Sequence, residues 1–188
     1  ACLGFILRGV FAGTQPEIEW FMTGMANFFP EAGSEFHRLI PPGERQDLLS
    51  AYHARLMHPE PEVHLAAAHA WATYESSCAA LRARGRDIRL GSDRFALAVA
   101  RMEAHYFRHG CFLEPEQLFR DLGRIGHLPC HVVQGRYDVI CPPATAQRLV
   151  AQWPGAKLEM IEDAGHSALE PGIRAALVRA TDRIGQTL

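Results

Sequence analysis

Two short stretches carry residue types that could act together on a substrate, Gly135-Arg-Tyr-Asp138-Val-Ile-Cys141-Pro and Asp163-Ala-Gly165-His166-Ser. Each follows a run that reads as a strand: residues 130–135, bounded by proline and glycine, and residues 157–161. In open parallel sheets, ligands bind beyond the carboxyl ends of the strands. An aspartate on one such loop and a histidine on the next can therefore meet above the sheet. A buried carboxylate there holds the imidazole in one tautomer and stabilises its charged form, leaving the other nitrogen to take a proton from a hydroxyl. Taken singly, Asp138 reads as a turn or cap residue and His166 as a loop residue. Taken together, 28 positions apart with a strand before each, they read as an acid–base pair.

Other clusters read as structural. His105 and His109 stand four apart on a predicted helix, a spacing that can hold zinc. No HExxH surrounds them and Arg108 beside them disfavours a cation, so they read as surface histidines. The aromatic group Phe28, Phe29 and Phe36 reads as core rather than as a cofactor site.

The framework that must position Asp138 and His166 is legible around them. A strand over 130–135, a helix from about Ala144 to Trp153, a strand over 157–161 and a helix from about Pro171 onward imply a parallel sheet with right-handed crossovers. The apolar run Cys2–Gly9 is a further buried strand. Between these parts the period is helical, over 16–27, 43–57, 61–80, 94–107 and 114–124, with proline-rich joints at Ile40-Pro-Pro-Gly43 and His58-Pro-Glu-Pro61. The expectation is an α/β fold in three parts: a sheet strand in 1–13, a helical insertion over 14–125, and two more strands with their helices in 126–188. Three strands are few for a doubly wound sheet, and the chain opens without methionine inside a buried-looking strand. Both observations lead one to expect further strands upstream.

Composition narrows the function classes. At 48% hydrophobic and 21% charged residues, the chain has the make-up of a globular protein rather than a disordered one. Its 19 basic and 21 acidic residues leave a charge of −2 with no basic stripe, which argues against a nucleic-acid partner. The cysteines (Cys2, Cys78, Cys111, Cys130, Cys141) are scattered without a CxxC pair, the usage of a reducing compartment, and a cytoplasmic location is expected. No apolar run is long enough to span a bilayer, so no membrane partner is expected.

The motifs Gln134-Gly-Arg-Tyr-Asp-Val-Ile-Cys-Pro142 and Asp163-Ala-Gly-His-Ser-Ala168 resemble the acid and histidine motifs of the prolyl aminopeptidases (proline iminopeptidases) of the α/β-hydrolase fold. The resemblance extends to Leu7-Arg-Gly-Val-Phe11, Trp71-Ala-Thr-Tyr-Glu75 and Ala100-Arg-Met-Glu-Ala-His-Tyr-Phe107, in the family's order. Acid before histidine is also the order that follows the serine in that fold. The resemblance implies a helical cap domain inserted in a partial α/β-hydrolase, with Asp138 and His166 catalytic. It also implies that Glu75 and Glu103 of the cap bind a substrate ammonium. Two converging carboxylates suit a free N-terminal amine, because its charge offsets their mutual repulsion. Without the resemblance, both read as solvated helix glutamates. It further implies that Arg8 and Phe11 lie near the amino-terminal pocket and that Phe21 and Tyr74 stand where the family commonly has tyrosine and tryptophan. Cys141 either borders the proline-ring pocket or is simply a small buried apolar residue.

The family's nucleophile elbow, G-x-S-x-G, is absent from the 188 residues. The expectation is a C-terminal portion whose intact parent releases N-terminal proline from peptides through a seryl intermediate, with no metal or organic cofactor. A complementing N-terminal half is its possible partner. Two alternatives stay open: an ester or epoxide hydrolase of the same fold, and a non-catalytic remnant or binding module.

Overall fold

Strand β2, Cys130–Gly135, is buried along its whole length and lies between β1, Phe5–Arg8, and β3, Ala156–Ile161. The structure, a computed structural model, describes residues 2–82 and 92–187; residues 83–91 of the expected helical insertion lie outside the described residues, as do Ala1 and Leu188. Both pairings are parallel, with Phe5 opposite Cys130 and Cys130 opposite Ala156. A central parallel strand is covered on both faces, which is why its residues are buried without alternation. Val132 faces a core built with Phe119, Leu122, Leu149 and Trp153, and Val133 a second one with Ala164, Ile173 and Ala176. Trp153 meets Phe5 edge-on at 5.2 Å and donates its indole N–H to the Leu128 carbonyl at 2.9 Å.

Eight α-helices accompany the strands among the described residues: α1 Gln15–Met22, α2 Pro30–Arg38, α3 Leu48–Leu56, α4 Pro61–Cys78, α5 Asp93–Arg108, α6 Gln117–Arg120, α7 Pro143–Gln152 and α8 Pro171–Thr187. They divide between two compact units. One comprises Ala1–Ala12, Ala79–Leu81 and Leu113–Leu188, and contains the sheet with α6, α7 and α8. The other comprises Gly13–Cys78 and Arg82–Phe112, and contains α1 to α5. The boundary expected at residue 125 therefore falls earlier. Residues 113–125 join the sheet unit because Phe119 and Leu122 sit in its core, with Ile125 packed against them and the Arg148 guanidinium 3.8 Å over the Phe119 ring.

Several expected helices are shorter than the periodicity suggests. The stretch 43–57 splits into a short 3-10 helix, Pro42–Asp47, and α3, because the Asp47 carboxylate accepts from Ser50 N at 3.0 Å and caps a new helix there. The stretch 114–124 is reduced to α6 and a 3-10 turn, with Glu116 in the left-handed region at φ 60. Helix α2 has only Gly33 and Phe36 buried, too few apolar positions for its period to show in the sequence. Phe36 is core at 1% exposure, whereas Phe28 is 64% exposed and touches Trp20 from outside. The aromatic group expected as core is thus split by the turn after α1, which leaves Phe28 on the surface.

The helical unit is organised by aromatic rings. Phe36 stacks on Tyr52 at 4.2 Å and on Tyr74 at 4.4 Å, and Trp71 meets Phe21 at 5.2 Å. The Tyr52 hydroxyl donates to the Phe36 carbonyl at 2.7 Å, serving one of the last carbonyls of α2 that has no partner within the helix. Replacing Tyr52 by phenylalanine keeps the stack and strands that buried carbonyl. The expected loss, read from urea unfolding, is about 1–2 kcal/mol.

Candidate active site

The strand-end loops of the sheet unit touch through backbone. Arg136 N donates to the Ile161 carbonyl and Tyr137 N to the Ala164 carbonyl, each at 2.9 Å. A β-carbon at Gly135 would stand 2.0 Å from the Gly165 oxygen and 2.6 Å from that of Ala164, so only glycine allows this approach. It sets Asp138 against His166. The His166 Nδ1–H donates to Asp138 Oδ2 at 3.0 Å and lies 3.1 Å from Oδ1. Asp138 is 4% exposed while the His166 side chain is 17% exposed, so the acid is sealed and the base partly open. Such a pair leaves Nε2 as the proton acceptor.

Both partners are tied down. Cys141 N donates to Asp138 Oδ1 at 2.8 Å, and the Gln134 side-chain amide donates to Oδ2 at 2.9 Å. Gly165 N donates to the buried Glu170 carboxylate at 2.7 Å, and Ser167 N to the Ala79 carbonyl at 2.7 Å. The Arg8 guanidinium donates to the backbone carbonyl of His166. In this unit, then, Arg8 meets the histidine loop itself. Phe11 is half-buried and Cys141 buried. Sequence reasoning did not single out Gly9, Gln134 or Glu170. Gly9 lies inside a quoted motif, at φ 54, where an added β-carbon would approach the His166 ring to 2.7 Å.

The helical unit holds a second constellation. Glu75 on α4 and Glu103 on α5 are both half-buried, and the Trp71 indole N–H donates to Glu103 Oε2 at 2.7 Å. Burial first, and the neighbouring Glu75 charge second, push the Glu103 carboxyl up to about 8; the Trp71 hydrogen bond opposes them. Two carboxyls close enough to disturb each other in a shielded place form an arrangement suited to a cation. Phe21 is buried there against Trp71 and Phe107, each at 5.2 Å. His105 and His109 lie with ring centres 4.4 Å apart, and His109 Nδ1 donates to the His105 carbonyl at 2.8 Å. Among the described residues no group of three or more His, Cys, Asp or Glu could hold a metal ion, and no helix is long and apolar enough to cross a membrane.

Comparison with known proteins gives these constellations a setting. The chain overlays on an esterase from Exiguobacterium antarcticum with a TM-score of 0.57 at 12% identity, covering 97% of this chain and 57% of that one. The shared architecture and the parallel strands give the chain a partial α/β-hydrolase fold. It is 43% identical over 185 residues to a probable proline iminopeptidase of Leptolyngbya boryana and 45% identical over 181 residues to a proline iminopeptidase of Xanthomonas citri. Along nearly all of its length the chain is similar to proteins named proline iminopeptidase. It spans 58% of the length of these two relatives while they cover 97% and 94% of it. No family model matches the chain.

Two outcomes follow from this geometry. Gly9→Ala places a β-carbon in the His166 ring and forces a left-handed backbone, so unfolding should lose about 1–3 kcal/mol and the His166 ring resonances should move. Glu103 carries a carboxyl raised from 4.5 to about 8. The folded state therefore holds more protons than the unfolded state between those values, and its contribution is fully present below about 4.5 and lost as pH rises through about 8. Glu103→Gln should flatten the decline of stability across that window in urea unfolding at several pH values.

Proposed function

We propose that the chain carries the acid and the base of a serine aminopeptidase that releases N-terminal proline from peptides. The observation that carries this reading is the Asp138–His166 pair at the strand-end loops, 3.0 Å apart, in a chain 43–45% identical to proline iminopeptidases. His166 takes the proton of a serine hydroxyl as it attacks the scissile carbonyl, then gives it to the leaving amine. Water repeats the cycle on the acyl-enzyme. Asp138 keeps the imidazole in the Nδ1–H tautomer and stabilises its charged form. The serine is supplied by a segment outside these 188 residues, the complementing N-terminal half. Acid, base and nucleophile are all side chains, so the chemistry calls for no metal or organic cofactor.

The helical unit serves as the cap. Glu75 and Glu103 of this unit, with Phe21, take the substrate ammonium; in the sheet unit Phe11 is a substrate-binding residue and Cys141 borders the proline-ring pocket. Arg8 acts as a substrate-binding residue through the histidine loop, whose His166 carbonyl it holds. Ammonium binding offsets the repulsion between the two carboxyls, which favours a free N-terminus over an internal amide. The scattered cysteines, without a CxxC pair, favour a cytoplasmic setting.

Kinetics test the reading. The 188-residue chain alone should release no proline from a proline arylamide, since loss of the nucleophile in a serine hydrolase costs on the order of a million-fold in turnover. Joined to the N-terminal segment of a relative, it should gain activity that a serine reagent abolishes. In that form Glu75→Gln or Glu103→Gln should lower kcat/KM for free-amino proline substrates by roughly ten- to hundred-fold, the value of one charge-assisted hydrogen bond. Hydrolysis of a neutral ester should change little. Equal losses on both substrates would refute the ammonium role.

A further inference from the structure

Gln134 is 1% exposed at the end of β2, and its side chain is turned to the loop that follows rather than into either core. Its Nε2 donates to Asp138 Oδ2 at 2.9 Å and to the Cys141 carbonyl at 3.0 Å. Both partners are acceptors, so the orientation of the amide is fixed: the reverse orientation would set oxygen against oxygen at a carboxylate. Its own Oε1 is buried with no partner among the described residues. A residue kept for packing alone would not carry that desolvation cost.

The carboxylate of Asp138 thus receives one fixed donor on each oxygen, Cys141 N on Oδ1 and Gln134 Nε2 on Oδ2. His166 Nδ1 lies at 3.1 and 3.0 Å from the same two atoms, almost evenly between them. The terminal torsion of an aspartate is broad, so covalent geometry alone does not hold its plane. We infer that Gln134 is a positioning residue that fixes the plane of the Asp138 carboxylate and, through it, the tautomer and orientation of the His166 imidazole. The Arg8 guanidinium, bound to the His166 carbonyl, fixes the loop backbone and leaves the ring to this chain of hydrogen bonds. The inference rests on the acid–base reading of Asp138 and His166.

The test uses the 188-residue chain with 15N-labelled histidine, the His166 signals being assigned from a His166→Gln variant. The unmodified chain should show the Nδ1–H tautomer with an Hδ1 proton protected from exchange. In Gln134→Leu that proton should exchange about tenfold faster or more, and the tautomers should mix, as expected for one lost hydrogen bond. Gln134→Glu adds a discriminating readout. Protonated, the introduced carboxyl can still donate to Asp138; ionised, it repels it, so protection should be restored on the acid side and lost as pH rises within one folded sample. A role in packing would give no such rescue, and should the leucine variant fail to fold, this pH comparison decides alone. Protection in the unmodified chain that persists in both variants at every pH would overturn the role of Gln134 and leave the acid–base pair standing. An unprotected Hδ1 in the unmodified chain would overturn both.

Discussion

The carbonyl oxygens of Ala164 and Gly165 lie where a side chain on residue 135 would have to stand, 2.6 and 2.0 Å from its first carbon. That contact sets the spacing of the two strand-end loops, and the spacing sets what they can carry. With glycine at the end of β2, backbone groups of one loop bond those of the next, and an aspartate three residues on meets a histidine from the neighbouring loop. A larger residue would have to push the loops apart. Interiors pack too closely to absorb such a shift, so it would pass directly to the side chains above.

Around that contact the histidine loop is held at three successive residues, and by groups of different kinds. A buried carboxylate takes Gly165 N, a guanidinium takes the His166 carbonyl, and a backbone carbonyl takes Ser167 N. The imidazole itself is left to the aspartate. This division separates holding the loop from orienting the ring. Asp138 is almost fully enclosed, which would be costly for a charge without partners. It receives donors on both oxygens, and these offset the lost hydration.

The helical unit uses burial to a different end. Placing Glu103 beside Glu75 in a shielded spot works against folding at neutral pH, and Trp71 offsets only part of the penalty. Under the proposed function that cost is exchanged for affinity toward the substrate ammonium. The stacked rings of Phe36, Tyr52 and Tyr74 and the packing of Phe21 on Trp71 supply the rigidity that keeps the two carboxyls together.

The sequence by itself determined the three strands and which aspartate and histidine come together beyond their ends. Strand β2 is buried at every residue because a central parallel strand is covered on both faces, and Asp138 and His166 follow their strands closely, where a parallel sheet must present them. Period and punctuation are local properties, so they survive in a one-dimensional string. They failed where the local signal was thin, as in α2 with two buried residues, or where a cap interrupted a helix at Asp47. Only the tertiary structure decided which groups hold the site. Arg8 reaches His166 across 158 positions and Trp71 reaches Glu103 across 32, while Gln134 looks like any polar residue at a strand end until its donors are traced. Such partners are chosen by which side chains the packed backbone brings within about 3 Å, a distance that no spacing in the sequence encodes.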